Sequence, residues 1–424
     1  MKIQANDTQR KATQKWKKLL PCVFFLFFIA AWISPIKASS QDLTPEQTKH
    51  WLRLLHYKNE GSGFESELDG LEFFFAPDGK TNPWSELVAS REAFREERSI
   101  GRLKLHPQCA FPERFRFFRE VLGVTYDKLV DCPKFKEFLD SYRRPTGVTV
   151  VFSSAYPNNP ASMFGHTFLK FETSRKNDLL DIGINFAAYT PSDANLISFM
   201  YRGVFGGYPG MWSMEPYFIK VNEYVNSESR DLWEYELSLS EAETQHLLGH
   251  LWELEVTSYL DYFFLDENCS YQLLRAIEAV RLDWDLVAHL PVAVIPGETV
   301  KQLTYTPGAI RDVRFRSSLF HQLKQNYERL SETERADFSR LMNGEKVKTS
   351  PEALQAASIS FLYLRAVKKQ KWSDKDSERQ DLVTHLQLEE KEKPQPLETP
   401  PRLLKSRPDI GHVPASVYLG GGAM

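Results

Sequence analysis

The chain has 424 residues, of which 42% are hydrophobic and 26% charged, as is ordinary for a folded protein of one large or two smaller domains. The formal net charge of -3 conceals an asymmetry, because residues 1–40 carry seven Lys and Arg and a single Asp. The remaining residues hold 46 basic and 55 acidic side chains, a net charge of -9. An acidic body excludes nucleic acid as an expected partner, since phosphate binding needs a basic face.

Residues 1–40 have the order of features that is typical of a secretory signal peptide. Basic residues between Arg10 and Lys18 precede an apolar run that begins at Leu19, and small residues follow at 38–40. The same run could remain as an uncleaved membrane anchor, because it nearly reaches the length of a bilayer span. We therefore predict an exported protein whose body is soluble or peripheral to a membrane.

Export makes the cysteine count informative, because thiols pair in an oxidising compartment. Cys109 and Cys132 are 23 residues apart and each lies close to a proline, so we expect them to form a disulfide. This pairing leaves Cys269 as a lone thiol outside the signal segment. Burial in the core is one explanation for a lone thiol, and chemistry is the other.

The elements fall into five segments along the chain. After the signal segment, residues 41–145 read as a helical flanking region, in which Thr44 opens a helix through a capping box and Leu71–Phe75 resembles a short strand. Residues 146–300 switch to a strand period and are the predicted catalytic domain. Residues 301–372 are expected to be helical again, and residues 373–424 form a charged, proline-rich tail expected to be disordered.

Within the predicted catalytic domain, strands are expected near 148–152, 166–171, 179–188 and 233–237, and helices over 240–255 and 269–280. Four glycines within 201–210 predict a flexible aromatic loop. The aromatic, glycine-rich segment 201–212 is a candidate lid over an acyl chain, and a plain connector is an equal alternative. The lid side chains would be Tyr201, Phe205, Tyr208 and Trp212.

Two residues of this domain have the chemistry of a thiol enzyme. Cys269 opens a helix behind Asn268, where the helix dipole and free N–H groups favour a thiolate. Its backbone N–H is also placed to donate to an oxyanion. His166 at the start of a strand is the best-placed base.

A third member follows from the hairpin that joins the second and third strands. Pairing these strands around residues 173–178 sets Lys170 opposite Asp181 and His166 opposite Asn185. Asn185 could then fix the tautomer of the imidazole, completing a Cys–His–Asn site. A register slip of two residues would replace Asn185 with Gly183.

Three separated motifs carry a resemblance to a known family: Ser162 to Leu169, Ile184 to Ala188, and Glu267 to Tyr271. In this order they resemble the Lnb N-terminal periplasmic domain family, named for a bacterial lipoprotein N-acyl transferase. The order of His and Cys also resembles the circularly permuted papain-like thiol enzymes. The resemblance implies a periplasmic α+β protein with a permuted papain-like core and antiparallel sheet, Cys269 as nucleophile and His166 as base.

The expected function is cysteine-dependent acyl transfer, or amide or ester hydrolysis, on a lipid or lipoprotein in the cell envelope, with peripheral membrane contact. The alternatives are a peptidoglycan amidase or endopeptidase of the NlpC type and a non-catalytic envelope scaffold with a buried Cys269. Larger relatives of the family continue beyond a Gly-His motif, like Gly411-His412 in this sequence, into a β-rich region. The resemblance therefore supports the predicted thiol chemistry more strongly than the predicted lipid or lipoprotein substrate.

No cofactor and no metal are expected. His246 and His250 have a spacing that can bind zinc, but the helix around them is an ordinary amphipathic one and no metalloprotease glutamate follows His246. There is no phosphate loop, dinucleotide fingerprint or serine-hydrolase elbow in the sequence.

Overall fold

The computed structural model describes residues 43–390 with short gaps, together with 393–394 and 407–409. The gaps are at residues 62, 71, 143, 155–163, 174–176, 190–195, 265–266, 289, 291–293 and 369–370. The predicted signal segment and most of the C-terminal tail lie outside the described residues. No helix in the described part of the chain is both long enough and apolar enough to span a membrane.

The N-terminal region is built from short helices and one hairpin. Its elements are α1 (Pro45–Leu54), β1 (Tyr57–Glu60), β2 (Gly63–Ser66), α2 (Pro83–Ala93), α3 (Pro107–Ala110), α4 (Pro112–Arg116) and α5 (Pro133–Ser141). The predicted capping box is confirmed, because the Thr44 side chain accepts from the backbone of Gln47 and the Gln47 side chain accepts from the backbone of Thr44. The predicted strand over Leu71–Phe75 is wrong, since its described residues form turns and Phe73 is buried instead by ring contacts with Phe74 and Phe111.

A seven-stranded antiparallel sheet forms the centre of the molecule. Its strands are β3 (Gly147–Ser153), β4 (His166–Glu172), β5 (Ile182–Ala188), β6 (Pro209–Pro216), β7 (Leu232–Leu237), β8 (Leu260–Asp261) and β9 (Ile310–Arg316). Their order across the sheet is β8-β6-β5-β4-β3-β7-β9. Every residue of β3 is buried, as expected for a strand covered on both faces. The predicted α+β class with an antiparallel sheet is confirmed.

Nine further helices follow in the described chain. They are α6 (Leu196–Phe205), α7 (Tyr217–Val221), α8 (Glu241–Thr257), α9 (Cys269–Val280), α10 (Pro296–Tyr305), α11 (Leu319–Glu328), α12 (Glu332–Met342), α13 (Pro351–Lys368) and α14 (Asp374–Glu389). The buried apolar side chains of α8 and α9 join those of the sheet and the N-terminal region in one hydrophobic core. The helix that carries Cys269 is therefore fixed from several sides.

Three elements differ from the sequence-based expectation. The predicted loop over 201–210 begins as the second half of α6. The strand β9 lies in a segment expected to be helical, and it pairs along β7. The tail expected to be disordered from residue 373 starts with α14, which Ser373 opens through a capping box and which packs Val383 into a small core with α13.

The disulfide between Cys109 and Cys132 is confirmed. It joins α3 to the residue that precedes α5, and Cys109 packs in the main hydrophobic core. Among the described cysteines, Cys269 is the free one, and it is buried.

Candidate active site

Cys269 is the first residue of α9, as predicted, and the asparagine before it caps the helix. The Oδ1 atom of Asn268 accepts from the backbone N–H groups of Ser270 and Tyr271 at 3.0 and 3.3 Å. The Nδ2 group of Asn268 donates to the carbonyl oxygens of Phe264 and Val294. Because both ends of this amide are held, the start of the helix and the thiol on it are fixed in place.

His166 begins β4 directly after a glycine that must adopt a left-handed conformation. Gly165 has φ +96°, and a Cβ there would collide with the ring of Phe152 and the carbonyl oxygen of Ser153. The chain can therefore approach β3 closely just before the histidine. The imidazole is buried, and its Nε2 atom lies 2.5 Å from Oδ1 of Asn185 on β5.

The predicted strand register is wrong, although the predicted partner of the histidine is present. Lys170 pairs with Gly183, whereas the prediction paired it with Asp181, so the register differs by two residues. The difference runs in the direction opposite to the slip that would have placed Gly183 beside His166. Asn185 reaches His166 as a diagonal neighbour rather than a directly opposite one. Lys170 instead forms a buried ion pair with Glu234 on β7, at 2.8 Å.

The carboxylate of Asp181 serves the hairpin turn. Its Oδ1 atom accepts from the backbone N–H and the hydroxyl of Thr173, each at 2.9 Å. These bonds close the connection between β4 and β5 and make Asp181 a turn residue rather than the partner of Lys170.

The thiol and the imidazole perturb each other's ionisation. Burial opposes a charge on His166, but the neighbouring Cys269 and hydrogen bonds outweigh it, so the pKa of His166 is raised. Burial likewise opposes the thiolate, yet the imidazolium, the backbone of Thr167 and the hydroxyl of Tyr262 together lower the pKa of Cys269. A raised pKa for His166 and a lowered pKa for Cys269, in two side chains that hydrogen-bond each other, favour the thiolate–imidazolium form. With Nε2 held by Asn185, the Nδ1 atom is the ring nitrogen left for the thiol.

Tyr262 is a site residue that the sequence reasoning missed. Its hydroxyl oxygen accepts from the backbone N–H of Cys269 at 3.3 Å, and it also hydrogen-bonds the thiol. Its ring stacks on Phe186 of β5, with ring centroids 5.6 Å apart. In this structure the N–H group predicted to serve an oxyanion is thus occupied by a phenol hydroxyl.

We predict that Tyr262→Phe slows alkylation of Cys269 at pH 6.5 by about tenfold, because one hydrogen bond to a charged group is lost. The phenylalanine keeps the packing on Phe186, so thermal stability should change little. Iodoacetamide labelling followed by intact mass measures the rate. Tyr235→Phe is the matched control, because its buried hydroxyl is on β7, two strands away from β4, and donates to Asp409. Equal slowing in both variants would contradict the role of Tyr262.

The N-terminal region holds α9 through buried charges. The Nε atom of Arg275 lies 2.9 Å from Glu67, which also accepts from the hydroxyl of Tyr271 and binds Lys58. Arg53 on α1 donates to the carbonyl oxygens of Glu278, Arg281 and Leu282 at the end of α9. Both ends of the helix are therefore fixed by residues far away in the sequence.

The four predicted lid residues separate into two pairs. Tyr201 and Phe205 are exposed on α6, with 65% and 68% of their surfaces accessible. Tyr208 and Trp212 are buried, and Trp212 packs on Phe186 with ring centroids 5.0 Å apart. They do not form a single lid surface.

The two histidines with zinc-like spacing have different partners. His246 contacts Glu113, with 3.2 Å between Nδ1 and the carboxylate, whereas Nε2 of His250 lies 3.1 Å from Nε2 of His56. Within the described ranges, no group of three or more His, Cys, Asp or Glu side chains is placed to hold a metal ion.

The fold and the site define an α+β protein with a buried Cys–His–Asn cluster at the junction of an antiparallel sheet and a helix start. Residues 134–305 match the Lnb N-terminal periplasmic domain family, which confirms the resemblance of the three motifs. Residues 44–121 match a second family, described as a domain of unknown function (DUF7843). Comparison with curated proteins and with solved structures gives no match. The periplasmic domain family supports a periplasmic location.

Proposed function

We propose that the protein is a thiol acyltransferase or hydrolase with a permuted papain-like site, acting on acyl groups of lipids or lipoproteins in the cell envelope. The observation that carries the proposal is the contact of His166 with Asn185 and with a thiol whose pKa is lowered. A free cysteine in an oxidising compartment with such partners is suited to nucleophilic chemistry.

In the first step the Cys269 thiolate attacks the acyl carbonyl carbon, and a bond from sulfur to that carbon forms. The bond from the carbon to the alcohol or amine then breaks, and the imidazolium of His166 donates its proton to the leaving group. The acyl group remains on Cys269 as a thioester. Asn185 keeps the imidazole oriented by accepting from Nε2.

In the second step the neutral imidazole removes a proton from an acceptor amine, alcohol or water as that acceptor attacks the thioester. The acyl group passes to the acceptor, and the thiolate and imidazolium are restored. An amine or alcohol acceptor makes the protein a transferase, and water makes it a hydrolase. The same residues serve both outcomes.

The test is to incubate the purified exported protein with a detergent-solubilised diacylglyceryl lipopeptide and record its intact mass. We expect a mass increase of one fatty acyl group, removed by neutral hydroxylamine and absent in Cys269→Ala. Release of muropeptide fragments from purified peptidoglycan in a parallel incubation, with no acyl adduct from the lipopeptide, would favour the peptidoglycan amidase. A thiol that forms no adduct and does not react with iodoacetamide would overturn the enzymatic proposal in favour of the scaffold.

A further inference from the structure

The outward side of α6 is apolar where a surface helix normally carries polar residues. Met200, Tyr201, Val204 and Phe205 are all exposed and, at spacings of one, three and four residues, occupy one side of the helix. We call these four residues the outer face of α6. A contiguous exposed apolar face of this kind marks an interaction surface.

The opposite side of α6 is already used for packing near the candidate active site. The ring of Phe199 lies 5.1 Å from that of Phe264, and the carbonyl oxygen of Gly203 accepts from the backbone N–H of Phe264 at 2.7 Å. A side chain at Gly203 would collide with the Phe264 ring. The outer face therefore does not belong to the core, and the helix is fixed to residues just before Asn268.

The charge pattern around the outer face indicates its partner. From Leu196 to Met214 the chain has one charged residue, Arg202, and no carboxylate, although the whole chain carries 56 Asp and Glu. Exposed aromatic and aliphatic side chains beside a single arginine suit the headgroup region of a phospholipid bilayer, where aromatic rings lie at the interface between lipid and water. Arg202 is itself exposed on α6.

We infer that the outer face of α6 docks the protein on the surface of a phospholipid bilayer. A helix of ten residues is about 15 Å long, half the thickness of the hydrocarbon core, so α6 lies at the interface. Through Phe264 this contact brings the start of α9 close to the lipids. The inference rests on the proposed function for its purpose, because membrane lipids are the proposed source of the acyl groups.

The test places an environment-sensitive nitrobenzoxadiazole dye on the outer face. The exported chain carries Phe205→Cys for labelling, with Cys269→Ala and Cys22→Ser to remove other thiols. Vesicles of phosphatidylglycerol and phosphatidylethanolamine are added, and dye emission is recorded. We expect a several-fold increase with a blue shift, and no change for the control Leu388→Cys, which is 80% exposed on α14.

No change at position 205, or an equal change at 388, would overturn the inference. An emission change that follows protein concentration without vesicles would overturn it in favour of a second copy of the chain. The local readout holds whether or not the N-terminal apolar run is retained.

The two proposals fail separately. The labelled protein has no Cys269, so the vesicle result is independent of thiol chemistry. The acyl-adduct test uses a solubilised lipopeptide, so it is independent of membrane docking.

Discussion

Replacing His166 with alanine is expected to slow alkylation of Cys269 at pH 6.5 by about 100-fold. An ordinary thiol has a pKa of ~8.5, so roughly 1% of it is thiolate at pH 6.5. In the native site the charge and hydrogen bond of His166 are the main causes that lower the pKa of Cys269, and burial raises it. Without the imidazole, burial remains, and the thiol should be protonated at this pH.

The pH dependence of the alkylation rate distinguishes a thiol of lowered pKa from an ordinary one. A lowered thiol pKa means that native Cys269 reacts at a rate that levels off below the pH where an ordinary thiol begins to ionise. The rate in His166→Ala should still be rising at pH 8.5. Iodoacetamide labelling across pH 5.5 to 9, followed by intact mass, measures both profiles.

His321→Ala is the matched control, because this histidine lies on α11, contacts Asp231 just before β7, and is not part of the Cys–His–Asn cluster. Circular dichroism should show both variants folded. Identical pH profiles for native protein and His166→Ala would show that the imidazole does not activate the thiol at rest.

Replacing Arg114 with methionine is expected to lower the free energy of unfolding by about 3–5 kcal/mol, because it leaves Glu86 as an unpaired buried charge. The two side chains are fully buried, and Nη1 of Arg114 lies 3.0 Å from Oε1 of Glu86. Burial raises the pKa of Glu86, while Arg114 and the backbone N–H groups of Ala76 and Phe75 oppose that shift. Urea unfolding at pH 7 measures the loss.

The exposed pair of Arg98 and Glu96 supplies the control, since Arg98→Met should cost less than about 1 kcal/mol. The pKa of Glu86 should rise further without Arg114. A protonated carboxyl has no need of the guanidinium, so the difference between Arg114→Met and native protein should shrink as the pH falls to 4. A loss that is the same at pH 4 and pH 7 would show that lost packing, not the unpaired charge, is responsible.

The parts of the site that depend on neighbouring residues could be predicted from the sequence. Asn268 is a strong helix cap and fixes where α9 starts, and the strand period fixes where β4 starts after Gly165. The register between β4 and β5 could not be predicted, because it depends on turn geometry. Here Asp181 holds that turn through Thr173.

Contacts between distant segments had no sequence signal. The residues around Tyr262 show that an aromatic segment precedes Asn268, but only the fold brings its hydroxyl to Cys269. The helix α6 contains Gly203, which disfavours a helix locally. Close packing of Phe264 against that glycine accounts for the helix, and this is a tertiary effect.

The strand β9 has a consequence for where the chain can be divided. The match to the Lnb family ends at residue 305, whereas β9 lies just beyond it and pairs along the whole of β7. A chain cut after residue 305 would leave the N–H and C=O groups along one side of Leu232–Leu237 without their partners. An open edge of this kind, rich in aromatic residues, invites pairing with other chains. The stable unit for expression therefore extends at least to Arg316.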